Sequence, residues 1–150
     1  MNYYRTFTRN VLGFLAVVFL VSCSRAVGTL DMMKGESQIY VSVRKNEKLE
    51  IWNSVDAKFQ NKLNLSYQVR IKGNENVLFE KQIDGLHPDI QVASKETAFF
   101  GNSSISWSEG RILSGITVLK DMVIQIVASA NVDGDQLKLK RNNLIIKVGK

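Results

Sequence analysis

One cysteine, one histidine and one proline are all that this 150-residue chain holds of three residue types that carry chemistry or mark linkers. A single cysteine, Cys23, excludes an intrachain disulfide, a paired-thiol redox centre and a cysteine-based metal cluster. A single histidine, His87, falls short of the three or four ligands that a zinc site takes. Internal repeats and low-complexity segments are absent as well. The apolar run Val11–Val21 has eleven residues. At about 1.5 Å per residue that is roughly 16 Å, half of the hydrocarbon core, which argues against a stop-transfer helix.

What the first residues do contain is ordered. Arg5 and Arg9 precede the apolar run, and Leu20-Val21-Ser22-Cys23 closes it. A basic start, a short apolar stretch and a small residue before a cut describe an export signal. With a cysteine directly after the cut, the segment resembles the lipobox of bacterial lipoprotein precursors. The resemblance implies cleavage between Ser22 and Cys23 and a covalent lipid on Cys23, the one attached group expected. Two or three acyl chains hold a protein firmly, whereas one binds marginally. Residue 24 is Ser, not Asp, and by the same resemblance the protein goes to the outer membrane, facing the periplasm.

Residues 1–22 are thus read as signal peptide, 23–37 as lipidated N-terminus and flexible tether, and 38–150 as one domain. Of 20 basic residues, Arg5 and Arg9 lie in the signal; the rest of the chain has 18 against 14 acids, a net charge near +4. This modest excess together with an export signal argues against nucleic acid as a partner. It suits a membrane surface, peptidoglycan or an acidic protein.

After residue 37 the apolar period becomes two. Ile39, Val41 and Val43 alternate with polar neighbours. Leu63, Leu65, Tyr67, Val69 and Ile71 alternate with Asn64, Ser66, Gln68, Arg70 and Lys72, the pattern of a half-buried strand. Gly73-Asn74-Glu75-Asn76 predicts a turn, and Val77, Phe79 and Ile83 a returning strand. Asp84-Gly85 and His87-Pro88 break the pattern. Further strands are expected at Ile90–Val92, around Ile105–Trp107, at 112–119 with an interruption at Gly115, at 122–130, around Leu137–Leu139 and at 144–148. Asp133-Gly134 and Asn142-Asn143 read as turns. Residues 47–62 fit either a helix, with Leu49, Trp52, Val55 and Phe59 on one face, or a strand through Leu49 and Ile51 followed by a loop. The expected fold is all-β, an antiparallel β-sandwich or small barrel of about eight strands.

No catalytic or metal site is assigned. His87 stands near Asp84 and Asp89, but no Gly-x-Ser-x-Gly elbow accompanies it. Asp133-Gly134-Asp135 lacks the further oxygen ligands of a calcium loop. Three surface features are candidates for binding. Phe99-Phe100 precedes a polar turn, so one ring is expected in the core and the other exposed. Trp107, beside Trp52, is the other aromatic candidate for docking. Lys138, Lys140, Arg141 and Lys147 form a basic run expected at one end of the sheet.

In size, anchor and strand content the chain resembles small outer-membrane lipoproteins of secretion machines, such as the type VI secretion lipoprotein, a β-sandwich that docks an inner-membrane partner. That resemblance implies a non-catalytic adaptor in an envelope complex. A lysozyme-inhibitor-like or ligand-binding lipoprotein is the alternative, although the disulfide usual in such inhibitors cannot form here. An enzyme acting on the cell wall ranks last.

Overall fold

A computed structural model describes residues 24–150, so the signal and lipidation assignments at Ser22 and Cys23 lie outside the described residues. The fold is all-β: eight antiparallel strands in one curled sheet. Its frame is a pair of very long strands, β3 (Lys48–Gly73) and β8 (Met122–Gly149), hydrogen-bonded from Lys48↔Gly149 to Gly73↔Ile124. Each long strand serves two partners on its other edge. Strand β8 pairs with β1 (Arg25–Asp31) along one half and β2 (Ser37–Val43) along the other. Strand β3 pairs with β7 (Asn102–Thr117) along its first half and β4 (Asn76–Asp84) along its second. Short strands β5 (Ile90–Val92) and β6 (Lys95–Phe99) line the far edge of β7.

Strand β3 doubles back on itself. Asn53 and Tyr67 are fourteen residues apart on one strand, yet Asn53 Nδ2 lies 3.4 Å from the Tyr67 hydroxyl. A straight strand would hold them roughly 46 Å apart. The bend falls where the β3–β8 ladder repeatedly shifts register, between Asp56 and Leu63. There Asn61 and, opposite, Gln136 take positive φ angles of 56° and 50°. Bulges of this kind add residues to one strand and increase local twist. The two halves of the sheet therefore face each other across a single core.

Leu49, Ile51 and Val55 with Leu144, Ile146 and Val148 line one half. Leu65, Tyr67, Val69 and Ile71 with Ile124 and Ile126 line the other. All five apolar residues of the alternating stretch 63–71 are buried.

A polar chain crosses this core. The Trp107 indole donates to Asn53 Oδ1 at 2.8 Å, and Asn53 Nδ2 donates to the Gly85 carbonyl at 2.8 Å. The Tyr67 hydroxyl donates to Asn142 Oδ1. Burial pushes the Tyr67 phenol well above its usual value, against the opposing pull of its bond with Asn53. Gly110 makes room: a Cβ there would sit 2.8 Å from Asn53 Oδ1 and 2.9 Å from Pro88 Cβ.

Four expectations are corrected. Residues 25–31, read as tether, form β1 against β8, because Leu30 reaches the core. Within 47–62 the strand through Leu49 and Ile51 forms, but no helix does and no loop follows it: β3 runs on from Lys48 through the whole stretch, held by β7 and β8 on both edges. Asp133-Gly134 is no hairpin turn: β8 runs through it opposite Leu63 and Asn64, at the bend. Asn142-Asn143 is also mid-strand, with Asn142 fully buried on Tyr67. The Gly73–Asn76 turn does form: Asn74 and Glu75 both have positive φ, and Gly73 pairs with Asn76.

Candidate functional site: the aromatic hairpin at the bend

The hairpin of β6 and β7 ends in the pair Phe99↔Asn102, leaving a two-residue loop of Phe100 and Gly101. Their φ angles are 45° and 77°. Two positive φ values in sequence are the mark of a type I′ turn, whose twist matches the flanking strands and which favours Asn-Gly. Here the first position carries a phenylalanine, a bulky side chain in a left-handed conformation that disfavours it by roughly 1–2 kcal/mol. A local strain of this sort is a mark of functional positions.

The rings make the strain more telling. Phe99 is 72% exposed and Phe100 88%, so the expectation that one of them enters the core is overturned. Phe99 closes the β6–β7 ladder and Phe100 stands in the loop beyond it, and neither ring is covered by the core. The rings meet edge to face, centroids 4.3 Å apart. Burying one phenylalanine contributes about 1.5–3 kcal/mol, and little of that is realised at this tip.

The tip is nevertheless anchored. The Asn61 backbone amide donates to the Gly101 carbonyl at 3.0 Å, and Gln60 Nε2 donates to Asn102 Oδ1 at 3.1 Å. The aromatic turn is thereby locked to the bend of β3. Lys58 and Lys138 stand beside Phe99 around a groove of about 360 Å³, giving an apolar prow with cationic flanks.

Beneath the hairpin a cleft of about 440 Å³ opens between β6 and the β4–β5 loop. Phe59, Leu63, Leu86 and Ile105 form much of its wall, and His87 and Lys95 stand at its rim. The His87 Nδ1 lies 2.7 Å from Asp84 Oδ2, both side chains well exposed. Burial raises the Asp84 carboxyl, but the Leu86 amide and His87 outweigh it and hold the group below its ordinary value. Among the described residues no hydroxyl is hydrogen-bonded to His87, and no cluster of three metal-ligating side chains occurs. Asp89, the other acid near His87 in sequence, is held by Arg111 at 2.8 Å.

The remaining predicted residues are scattered. Trp107 is buried, and its indole serves the core network, so it offers no surface to a partner. The basic run is not gathered at one end, because β8 spans the molecule and spreads it. Lys138 sits at the aromatic tip and Lys140 at the bend bulge. Arg141 Nη2 donates to the Trp107 carbonyl at 3.1 Å. Lys147 is tucked 4.1 Å over the Trp52 ring and 2.6 Å from Glu109. Lys58, missed in the sequence, joins the site only because the β3–β8 register sets it opposite Lys138. Comparison with known proteins yields no match to a family model, a curated protein or a solved structure.

Proposed function

We propose that this protein is a lipid-anchored, non-catalytic β-domain of the bacterial envelope that binds another envelope protein through the Phe99-Phe100 hairpin. The lipobox-like Leu20-Val21-Ser22-Cys23 supports the anchor, the outer-membrane location and the periplasmic orientation. The observation that carries the binding role is the tip itself: two exposed rings on a strained turn, locked to the fold and flanked by Lys58 and Lys138.

Geometry favours a partner away from the anchoring membrane. Ser24 lies against Gly149, which pairs with Lys48, while the tip pairs with Gln60. The part of β3 ahead of the bend, from Lys48 to Asp56, alone spans roughly 26 Å. The partner surface implied is an apolar pocket with an acidic rim, as suits an adaptor in an envelope complex such as a secretion system.

The test is recovery of partners from detergent-solubilised membranes with wild type and with the Phe99→Ser/Phe100→Ser variant. A stable envelope protein recovered by wild type and lost at least tenfold by the variant is the expected result. Unchanged recovery removes the hairpin from the interface, and recovery of a lysozyme in its place favours the inhibitor class. Cys23→Ala should release the protein from the membrane fraction and abolish acyl labelling; retention without label overturns the anchor.

A further inference from the structure

The end of the molecule opposite the aromatic tip has a composition of its own. It is built from Ser24–Arg25, the turn between β2 and β3 (44–47), the turn between β7 and β8 (118–121), Lys150 and, beside Met122, the turn between β3 and β4 (74–75). The two turns are tied together: the Asn46 amide donates to the Val118 carbonyl at 2.7 Å, and the Val118 amide to the Glu47 carbonyl at 3.0 Å. Lys48 pairs with both Thr117 and Gly149, and Ser24 abuts Gly149. These segments therefore form one continuous end face.

Its charges are sorted. Arg25, Arg44, Lys45, Lys48, Lys120 and Lys150 are all exposed. Among the described residues, Arg44, Lys45, Lys48, Lys120 and Lys150 enter no ion pair. Two acids at this end are turned onto the backbone: Glu47 accepts from the Arg44 amide at 2.8 Å, with Arg25 3.9 Å from its carboxylate, and Asp121 accepts from the Lys45 amide at 2.7 Å, while Glu75 in the neighbouring turn is exposed. Capping the turns in this way fixes these two carboxylates against the backbone, and the five unpaired cations face solvent. At the summit of the 118–121 turn stands Leu119, 78% exposed, between buried Val118 and Lys120. The bend end has lysines too, but there Asp133, Asp135 and Glu96 are interleaved with them on open strands.

The chain outside the described residues enters at this face. Residues 1–23 hold the apolar run and Cys23, and the first described residue, Ser24, is already packed against Gly149. With β1 starting at Arg25, no slack separates a membrane attachment at Cys23 from the end face.

We propose that this end face is a membrane-apposed surface that lays its lysines and arginines on anionic phospholipid headgroups and sinks Leu119 into the interface. The proposal rests on the anchored reading for its orientation, but its chemistry, cations around one exposed leucine, is independent of acylation. Juxtamembrane cations add attraction to an anionic leaflet that falls off within a Debye length. The contact would hold the domain upright, with the aromatic hairpin at the bend end of β3, away from the bilayer.

The test uses the full chain purified from membranes and reconstituted into vesicles. An environment-sensitive fluorophore is placed at Leu119→Cys or at Phe100→Cys, and doxyl lipids serve as quenchers. Vesicles are phosphatidylglycerol and phosphatidylcholine in equal parts, or phosphatidylcholine alone. Expected is strong quenching at position 119 in the anionic vesicles, at least threefold weaker in the neutral ones and reduced by salt, with none at position 100. Adding Lys45→Glu and Lys120→Glu to the 119-labelled chain, which controls for insertion by the dye alone, should lower quenching severalfold. Quenching at 119 no greater than at 100, or unmoved by lipid charge and by the two reversals, overturns the proposal. Mass analysis of Cys23 on the same material separates the two readings. Acylated Cys23 with an unquenched 119 label sinks the lipid-facing surface alone. Unmodified Cys23 with a quenched label sinks the anchor alone and supports the surface.

Discussion

Single residues in this molecule are asked to do opposite things by the fold and by the surface. Phe100 occupies a left-handed turn position that glycine adopts freely. Phe100→Gly should therefore raise stability by up to about 1 kcal/mol in urea unfolding while weakening partner recovery. A loss of stability instead would mean that the ring is held by the fold and not offered to a partner. Tyr67 shows the reverse logic, a polar group placed for the core. Tyr67→Phe strips Asn142 of its bond, and leaving a buried amide unpaired should destabilise by about 1–3 kcal/mol. Since burial raises the Tyr67 phenol above its unfolded value near 10, its protonated form is favoured by folding. That stability is fully present below about pH 10 and is lost as pH rises beyond it. The phenylalanine variant should lack this part of the alkaline decline, seen by following melting temperature against pH.

At the level of elements, the loop from Gly85 to Asp89 is held to β7 by one ion pair and one amide. Arg111 grips Asp89 and draws its carboxyl below the ordinary range, against the opposing effect of burial. A folded value below the unfolded one means that the stabilisation is present above about pH 4 and disappears as pH falls through the folded value. Asp89→Asn should then flatten the acid decline of stability and speed hydrogen exchange at Ile90–Val92, the strand that Asp89 leads into. An unaltered acid limb would show that Asp89 is incidental to the loop. The elements also explain which patterns were legible. Alternation at 63–71 and the Gly73–Asn76 turn survive intact because each is settled by neighbours within a few residues. Asp133-Gly134 and Asn142-Asn143 misled because turn-forming residues inside a long strand are indistinguishable from turns until the partner strand is known. Phe100-Gly101 misled in the other direction, since its first residue is not a turn former at all.

For the whole molecule the deciding feature is that two strands each belong to both halves of the sheet. Val55 and Val69 lie on the same strand and in the same core, so neither half can unfold while leaving the other its covering face. Ile51→Ala and Ile126→Ala, one in each half, should each destabilise by about 2–5 kcal/mol and shift one common transition. Two separable transitions in far- and near-ultraviolet circular dichroism would contradict a single cooperative unit. The same architecture separates the two surfaces of interest, with the cationic end face and chain entry at one pole and the aromatic hairpin at the other.

The sequence by itself determined the strand-rich character, the absence of disulfide and thiol chemistry from residues 24–150, the export-like start at Arg5 to Cys23, and an aromatic pair, Phe99-Phe100, next to a turn. These follow from composition and from contacts a few residues apart. Only the tertiary structure decided that residues 25–31 are strand and not tether, that Trp107, Arg141 and Lys147 are engaged within the fold, and that Lys58 joins Lys138 beside the tip. The physical reason is that a β-ladder joins residues far apart in sequence. Which edge a strand finds, where it bends and which side chains the bend leaves in solvent depend on partners that local periodicity does not encode.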